Sequence, residues 1–284
     1  MLGILFALIA AIAVGIENLL MRHVLKTEDT LGFTFLVHLI STILLIPLFA
    51  IEFALPSQPI AWLFAIASAL IWLAAAYCGF LSYKTIDAST KSPITKIKLF
   101  FVLLLSVILL GESLTAEKVI GTALIFAGIT LLTYKGNGFA RLGEKGIQLI
   151  FLAALLTAIA QIIDKYAINY FTSGTYGFLV YLFAALALIP FVAGKMREIK
   201  TMFFRQAVPI IAVTAFGAGA YYLILQAFKV AEASVIVPII ELSTLIIVFG
   251  GIVFLKEEKT VEKIAAAIIA ILGAVLITGI YKIF

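Results

Sequence analysis

Four ionisable side chains stand inside long apolar runs: Glu17, Lys96, Lys98 and Glu241. A charge in such a run costs about 2.5–3.5 kcal/mol on insertion scales, and marks a pathway or a paired site. Polar companions accompany them. Asn18 follows Glu17, Gln161 interrupts another apolar stretch, and Tyr77 and Tyr222 place hydroxyls within two more. Nothing here points to covalent chemistry: there is no Gly-x-x-x-x-Gly-Lys-Ser/Thr phosphate loop and no His-Glu-x-x-His, and the two histidines are far apart. The side chains offer recognition and charge transfer. The expectation is a protein that is not an enzyme, with no catalytic residue, no metal site, no cofactor and no ATP-driven step on this chain.

The elements that hold these residues are too apolar for a water-soluble domain. Of 284 residues 64% are hydrophobic and 12% charged, with a mean hydropathy of +1.22. Soluble domains are about 45–50% apolar and roughly a quarter charged. The partner implied is a lipid bilayer. The net charge of +5 is spread over short links between apolar runs, which fits membrane orientation and not nucleic-acid binding. The single cysteine, Cys78, excludes an intramolecular disulfide. The N-terminal run lacks a basic leader and a small-residue cleavage site, so it reads as a retained helix.

Ten runs meet the requirement of about 20 mostly apolar residues per span: 2–21, 32–51, 60–83, 92–110, 118–134, 146–163, 176–193, 207–227, 235–254 and 264–281. The chain also repeats itself. Ala88-Ser89, Pro93-Ile94, Leu110, Glu112, Thr115, Glu117-Lys118 and Gly128 return 145 residues later as Ala233-Ser234, Pro238-Ile239, Leu255, Glu257, Thr260, Glu262-Lys263 and Gly273. Leu45-Ile46-Pro47 returns as Leu188-Ile189-Pro190, at a shift of 143. The fold class expected is all-α integral membrane, with residues 1–138 and 139–284 as two five-helix halves. Five is odd, so the second half enters the membrane inverted, a design in which sites lie near the midplane where the halves meet.

Of the 20 Lys and Arg residues, 14 lie in links that follow the odd-numbered runs, and four lie on the opposite side. The positive-inside rule places the odd links in the cytoplasm and both termini outside the cell membrane.

Ala-Ser-x-x-x-Pro-Ile opening the fourth run, Leu-Gly-Glu-Ser-Leu-Thr (110–115) closing it, Gly121 and Gly128 in the fifth, and their echoes in the second half resemble the drug/metabolite transporter superfamily, specifically its EamA-type permeases. The resemblance covers essentially the whole chain. It implies a small-metabolite carrier working by alternating access, with a central cavity lined by helices 1, 3, 4, 6, 8 and 9. Amino acids, sugar phosphates, nucleotide sugars and choline all occur as substrates in that superfamily. Two departures stand out: such members usually look N-in and C-in, opposite to the charge count, and Gly111 is replaced by Lys256 in the second copy.

At a rise of 1.5 Å per residue, Glu17 lies roughly 24 Å into the first helix and Lys96 on the order of 9 Å into the fourth from the opposite face. Those depths predict an ion pair between Glu17 and Lys96, or their joint binding of a zwitterion; a structural salt bridge is the alternative. Glu241 overlies Lys96 in the repeat but enters from the other face, about 10 Å away along the normal. It is expected not to touch Lys96, and to neighbour Gln161 or Lys229. A carboxyl so placed could carry a coupling proton, as could Glu17, unless it is simply hydrogen-bonded. Lys98 is expected to point away from Lys96 and snorkel to the headgroups. Tyr77 and Tyr222 are expected to line the cavity, and Asn18 and Gln161 to contact substrate, with weaker claims for Trp72 and Tyr221. His38 reads as a packing residue, Pro93 and Pro238 as a possible kink, and Gly121, Gly128 and Gly273 as close-packing positions. Glu112 and Glu257 read as caps on the helix that follows each. The function expected is secondary transport of a small polar, zwitterionic or amino-acid-like metabolite by a monomer or homodimer, driven by an ion gradient, by protons or by exchange. Carriage of an anionic or cationic metabolite, or a scaffold or membrane-embedded enzyme, are the alternatives.

Overall fold

The computed structural model describes residues 1–25, 29–82, 95–133, 145–246 and 261–278. Among them there is no strand, as expected where lipid leaves every backbone amide to be satisfied within its own helix. The helices are α1 (Leu2–Leu25), α2 (Thr30–Ile51), α3 (Pro59–Ser82), α4 (Lys98–Leu110), α5 (Ala116–Thr133), α6 (Lys145–Ala167), α7 (Ser173–Val192), α8 (Ala207–Val230), α9 (Ala233–Ile240) and α10 (Val261–Thr278). A ten-residue surface helix, Met196–Arg205, links α7 to α8. Six of the described helices are long and apolar enough to cross a membrane: α1, α2, α3, α6, α8, and α7 continued through the surface helix.

Large apolar side chains face outward as well as inward, unlike in a soluble protein. Small residues such as Ala7, Ala61, Ala65, Ala69 and Ala158 are fully buried, while Leu5, Ile43, Leu63 and Ile108 are exposed. In lipid there is no hydrophobic drive between helices, so close approach through small side chains decides which faces meet. The glycines expected at close packing positions are where backbones touch. A Cβ on Gly128 would lie 2.6 Å from the Ala270 amide nitrogen, and one on Gly273 2.6 Å from the Gly121 carbonyl oxygen. Together they seat α5 on α10.

The main helix pairs join one half of the chain to the other: α1 with α8, α3 with α6, α2 with α7, and α5 with α10. Further contacts join α1 to α9, α4 to α6, and α4 to α9. Exchanging each helix for its sequence mate maps this set onto itself.

Three polar joints fix helix ends at one face, and those of Glu112 and Glu52 tie the two halves together. Glu112, just after α4, accepts hydrogen bonds from the Ala233 amide (2.7 Å), the Ser234 amide (3.0 Å) and the Ser234 hydroxyl. It therefore caps α9, in the opposite half, and not the helix that follows it in sequence; Glu257 lies outside the described residues. Lys165 near the end of α6 donates to the carbonyls of Phe228 and Ala231 (2.9 Å for the second), capping the C-terminal end of α8. Glu52 at the end of α2 accepts from the Gly174 amide at 2.8 Å, on the first turn of α7. A cavity of about 380 Å³ opens beside the first two joints, between Gly111, Lys165, Tyr166 and Glu232.

Candidate substrate site

Continuous helix fails at two matching places. Beyond Ile240 the chain tightens through Glu241 and Leu242, where the Leu242 amide donates to Ile239 O (3.1 Å) and the Leu245 amide to Leu242 O (2.9 Å), three residues back instead of four. In the other half Leu99 donates to Lys96 O (3.0 Å) and Phe100 to Ile97 O (3.1 Å) in the same way. Positions 96 and 241 are the repeat mates that carry opposite charges. Pro238 lies just upstream of this tightening; its missing N–H and its ring perturb the turn before it, so it does not account for the bonds at 239–245. Its mate Pro93 lies outside the described residues. A short 3₁₀ passage within a spanning helix is a recognised mark of a hinge or site.

The two lysines and the glutamate meet at these breaks. Lys96 Nζ pairs with Glu241 Oε2, and Lys98 Nζ with Glu241 Oε1 at 2.5 Å. This corrects three expectations. Lys96 pairs with Glu241 and not with Glu17; Glu241, expected to keep clear of Lys96, has two cationic partners; and Lys98 turns inward and does not snorkel. The physical reason is reach. Extended lysine and glutamate side chains together close a gap of the size estimated from helix rise. The 3₁₀ tightening also breaks the regular angular spacing on which the outward placing of Lys98 rested. Glu241 sits roughly 12 Å from the start of α9, and Lys98 roughly 18 Å from the end of α4. The Glu112–Ala233 bond sets both distances from the same face. Inside a bilayer, a carboxylate with two ammonium partners is far less costly than one alone. The triad carries one positive charge in excess.

Glu17 stands apart. Its carboxylate lies against α8, where a Cβ on Gly217 would come 2.7 Å from Oε1. Among the described residues it makes no ion pair or hydrogen bond, and it is only half-buried. Tyr181 on α7 lies within electrostatic range of it. The Tyr181 ring packs edge-on against Tyr221 (5.5 Å), and Tyr221 edge-on against Trp72 (6.1 Å). His38 is a packing residue as expected: its Nδ1 shares a 2.7 Å hydrogen bond with Thr34 O, and its ring rests on Tyr181.

A further carboxylate was missed. The sixth apolar run ends at 163 by composition, yet α6 continues to Ala167 and buries Asp164 completely. Asp164 accepts four hydrogen bonds from three other helices. Trp72 Nε1 (2.8 Å) and the Tyr221 hydroxyl (3.0 Å) donate to Oδ2, and the hydroxyls of Tyr176 (2.8 Å) and Ser68 to Oδ1. Four donors match the lone-pair capacity of an ionised carboxylate, so no acceptor position is left for a ligand. The signal was present in the sequence: Asp164 lies one helical turn beyond Gln161, on the same face.

The remaining candidates separate. Tyr222 donates to Glu52 Oε1 and accepts from Gln226 (2.7 Å), which ties it to the joint at the end of α2 and not to the triad. Tyr77 is 39% exposed and makes no hydrogen bond among the described residues. Asn18 donates to the Val14 carbonyl at 2.8 Å. Gln161 is buried with its Oε1 unpartnered among the described residues. Lys229 is exposed. No cluster of His, Cys, Asp and Glu suited to a metal occurs among the described residues.

An apolar bundle whose charges at membrane depth, Glu17, Lys96, Lys98, Asp164 and Glu241, face neighbouring helices has the build of a multi-pass membrane protein. The chain belongs to the EamA-like transporter family, whose sequence profile matches it twice, over residues 1–134 and 144–279. It is 27% identical to an uncharacterised transporter of Archaeoglobus fulgidus, over 98% of both chains. It is 25% identical to a Lactobacillus johnsonii protein assigned provisionally to sugar uptake, over 82% of this chain and 85% of that one. One solved crystal structure shares the fold at a TM-score of 0.81, with 15% identity, over 99% of this chain and 97% of that one.

Proposed function

We propose that this protein is a secondary carrier of a small zwitterionic, amino-acid-like metabolite. It works by alternating access between two inverted five-helix halves, residues 1–138 and 139–284, through ten spans. Inversion is supported by the polar joints: the end of α2 bonds the start of its mate α7, and the end of α4 bonds the start of its mate α9. The odd-numbered links face the cytoplasm of a cell membrane and both termini face outside, on the Lys and Arg count.

The observation that carries the substrate reading is the division of charge. The Lys96–Lys98–Glu241 triad has a surplus ammonium, while Glu17 has a carboxylate without a partner among the described residues. A zwitterion satisfies both poles, its carboxylate drawn to the lysines and its ammonium to Glu17. Glu17 is also the coupling group of this reading. Glu241 is held by two cations and is ill placed to exchange a proton.

The test is counterflow in proteoliposomes loaded with unlabelled substrate candidates. The expected result is exchange of labelled neutral amino acids, lost in Glu17→Gln and weakened in affinity in Lys98→Met. Exchange confined to phosphorylated or purely cationic compounds would overturn the zwitterion assignment; absence of any flux with every metabolite class would overturn the carrier reading itself.

A further inference from the structure

The surface helix Met196–Arg205 is too short to span and carries chemistry that transport through the bundle does not use. Its inner face is anchored. Ile199 and Met202 are buried against the first turn of α2, where a Cβ on Gly32 would lie 3.0 Å from Ile199 Cγ1 and 3.3 Å from Met202 Cε. Its ends are fixed at the edge of the bilayer. Phe191 in the last turn of α7 is 69% exposed, and Val208 at the start of α8 is 79% exposed, as lipid-facing residues are.

The outer face is set by helical spacing. Arg197, Lys200, Thr201 and Phe204 follow one another at i, i+3, i+4 and i+7, and all are exposed. Phe204 is 69% exposed, and Lys200 Nζ lies 6.0 Å from its ring centroid. Among the described residues neither Arg197 nor Lys200 makes an ion pair, whereas Lys195 at the helix start is turned to Asp29 at 3.7 Å. An exposed phenyl ring one turn beyond two unpaired cations on the same helix face, at the level where the flanking helices leave lipid, matches the headgroup layer. The ring enters the acyl boundary and the cations meet phosphate.

We propose that Arg197, Lys200 and Phe204 form a binding site for an anionic phospholipid headgroup, on the face of the membrane reached after α7. The guanidinium takes the phosphate by a forked pair of hydrogen bonds, Lys200 adds a second positive charge, and Phe204 holds the glycerol and upper acyl region. Because Ile199 and Met202 grip α2, the lipid is seated on a helix that packs on α2 and α8, and α2 in turn packs on α7.

The test uses the full-length chain in non-ionic detergent, equilibrated with equal amounts of phosphatidylglycerol and phosphatidylcholine and read by native mass spectrometry. Wild type should retain phosphatidylglycerol preferentially, and 1 M salt should remove that preference. The Arg197→Gln/Lys200→Gln variant should bind phosphatidylglycerol about 10- to 30-fold more weakly, from the usual worth of two interfacial cations. Arg197→Lys/Lys200→Arg should keep most of the retention. Equal retention of the two lipids by wild type, or unchanged phosphatidylglycerol binding in the double Gln variant, would overturn the assignment. Displacement of the lipid by inorganic phosphate alone would assign the site to a free anion and overturn it as well. Should the double variant fold poorly, the salt dependence of wild type and the single Lys200→Gln variant still decide.

Discussion

Asp164→Asn changes one atom and no volume, yet it should be among the most destabilising single substitutions in the bundle. The carboxylate accepts two hydrogen bonds on each oxygen. An asparagine placed with its amide oxygen at Oδ1 keeps the Ser68 and Tyr176 hydroxyls as donors, but as neutral bonds of roughly half the strength. Its NH₂ group then faces Trp72 Nε1–H and the Tyr221 hydroxyl. Tyr221 can rotate its hydrogen and accept; the indole cannot, because it has only a donor. A buried donor left unpaired costs about 1–3 kcal/mol, and the weakened pair adds about 1 kcal/mol. Removing a desolvated charge offsets part of this. The expected net loss is about 2–4 kcal/mol, or roughly 5–15 °C in Tm for a chain of this size.

A double-mutant cycle with Trp72→Phe isolates the reasoning. Trp72→Phe alone deprives Asp164 of one donor and should cost about 1–2 kcal/mol. In the double variant the indole N–H that opposes the amide is gone, so its cost should fall short of the sum of the singles by about 1–2 kcal/mol. The assay is thermal unfolding in detergent, followed by tryptophan-independent far-UV circular dichroism. Strict additivity, or an Asp164→Asn variant as stable as wild type, would refute the four-donor account of this residue.

Removing both lysines in Lys96→Met/Lys98→Met should be far worse than removing Lys98 alone. The double variant leaves Glu241 without a cation at a cost of about 3–5 kcal/mol, and poor yield of folded protein is the readout. Gly217→Ala puts a methyl group 2.7 Å from Glu17 Oε1 and must move the carboxylate; counterflow should show a raised KM with an unchanged melting temperature. Gly128→Ala should lower Tm, since its new Cβ meets backbone atoms of Ala270 that cannot yield. Glu112→Gln should cost about 1–2 kcal/mol by weakening the cap on α9, measurable by the same melt.

The bundle was legible because lipid reduces helix recognition to one rule, an apolar stretch of sufficient length. The repeat then located the mates Lys96 and Glu241. The contacts between them were misjudged because a ruler of 1.5 Å per residue measures backbones, whereas ion pairs are made by the ends of flexible side chains. Angular spacing misled in the same way at Lys98, where the helix is not regular. Asp164 escaped because the sixth run, judged by composition, closes at the adjacent charges Asp164 and Lys165, although single charges such as Glu17 and Glu241 are carried inside other runs. Inside a protein a helix continues as long as that charge finds donors, and here the donors came from Ser68, Trp72, Tyr176 and Tyr221. Those partners lie up to 96 residues away in sequence, beyond any local pattern. Glu112 teaches the converse. Its role as a cap followed from its type and place at a helix end, but the helix it caps belongs to the opposite half.

Satisfaction of hydrogen-bonding capacity separates architecture from recognition in this bundle. Asp164 has a donor for every lone pair, and Glu112 is taken up by two amides and a hydroxyl of α9. Such groups gain nothing from a ligand and lose much if moved, so they act as fixed points between helices. Glu17 and Gln161 are in the opposite state: one carboxylate without a partner among the described residues, and one buried carbonyl oxygen in the same condition. A buried or half-buried polar group held unpaired costs about 1–3 kcal/mol, a cost that a bound ligand with a matching donor removes. Both lie in helices, α1 and α6, that are repeat mates, and each packs mainly on the other half of the chain. The triad stands between these extremes, internally paired but with one ammonium in surplus. On the proposed zwitterion reading, a substrate carboxylate arriving there would compete with Glu241 for its lysine. Recognition and release of that lysine would then be coupled to the tightened turns at 96–97 and 241–242, where backbone bonds run three residues back instead of four.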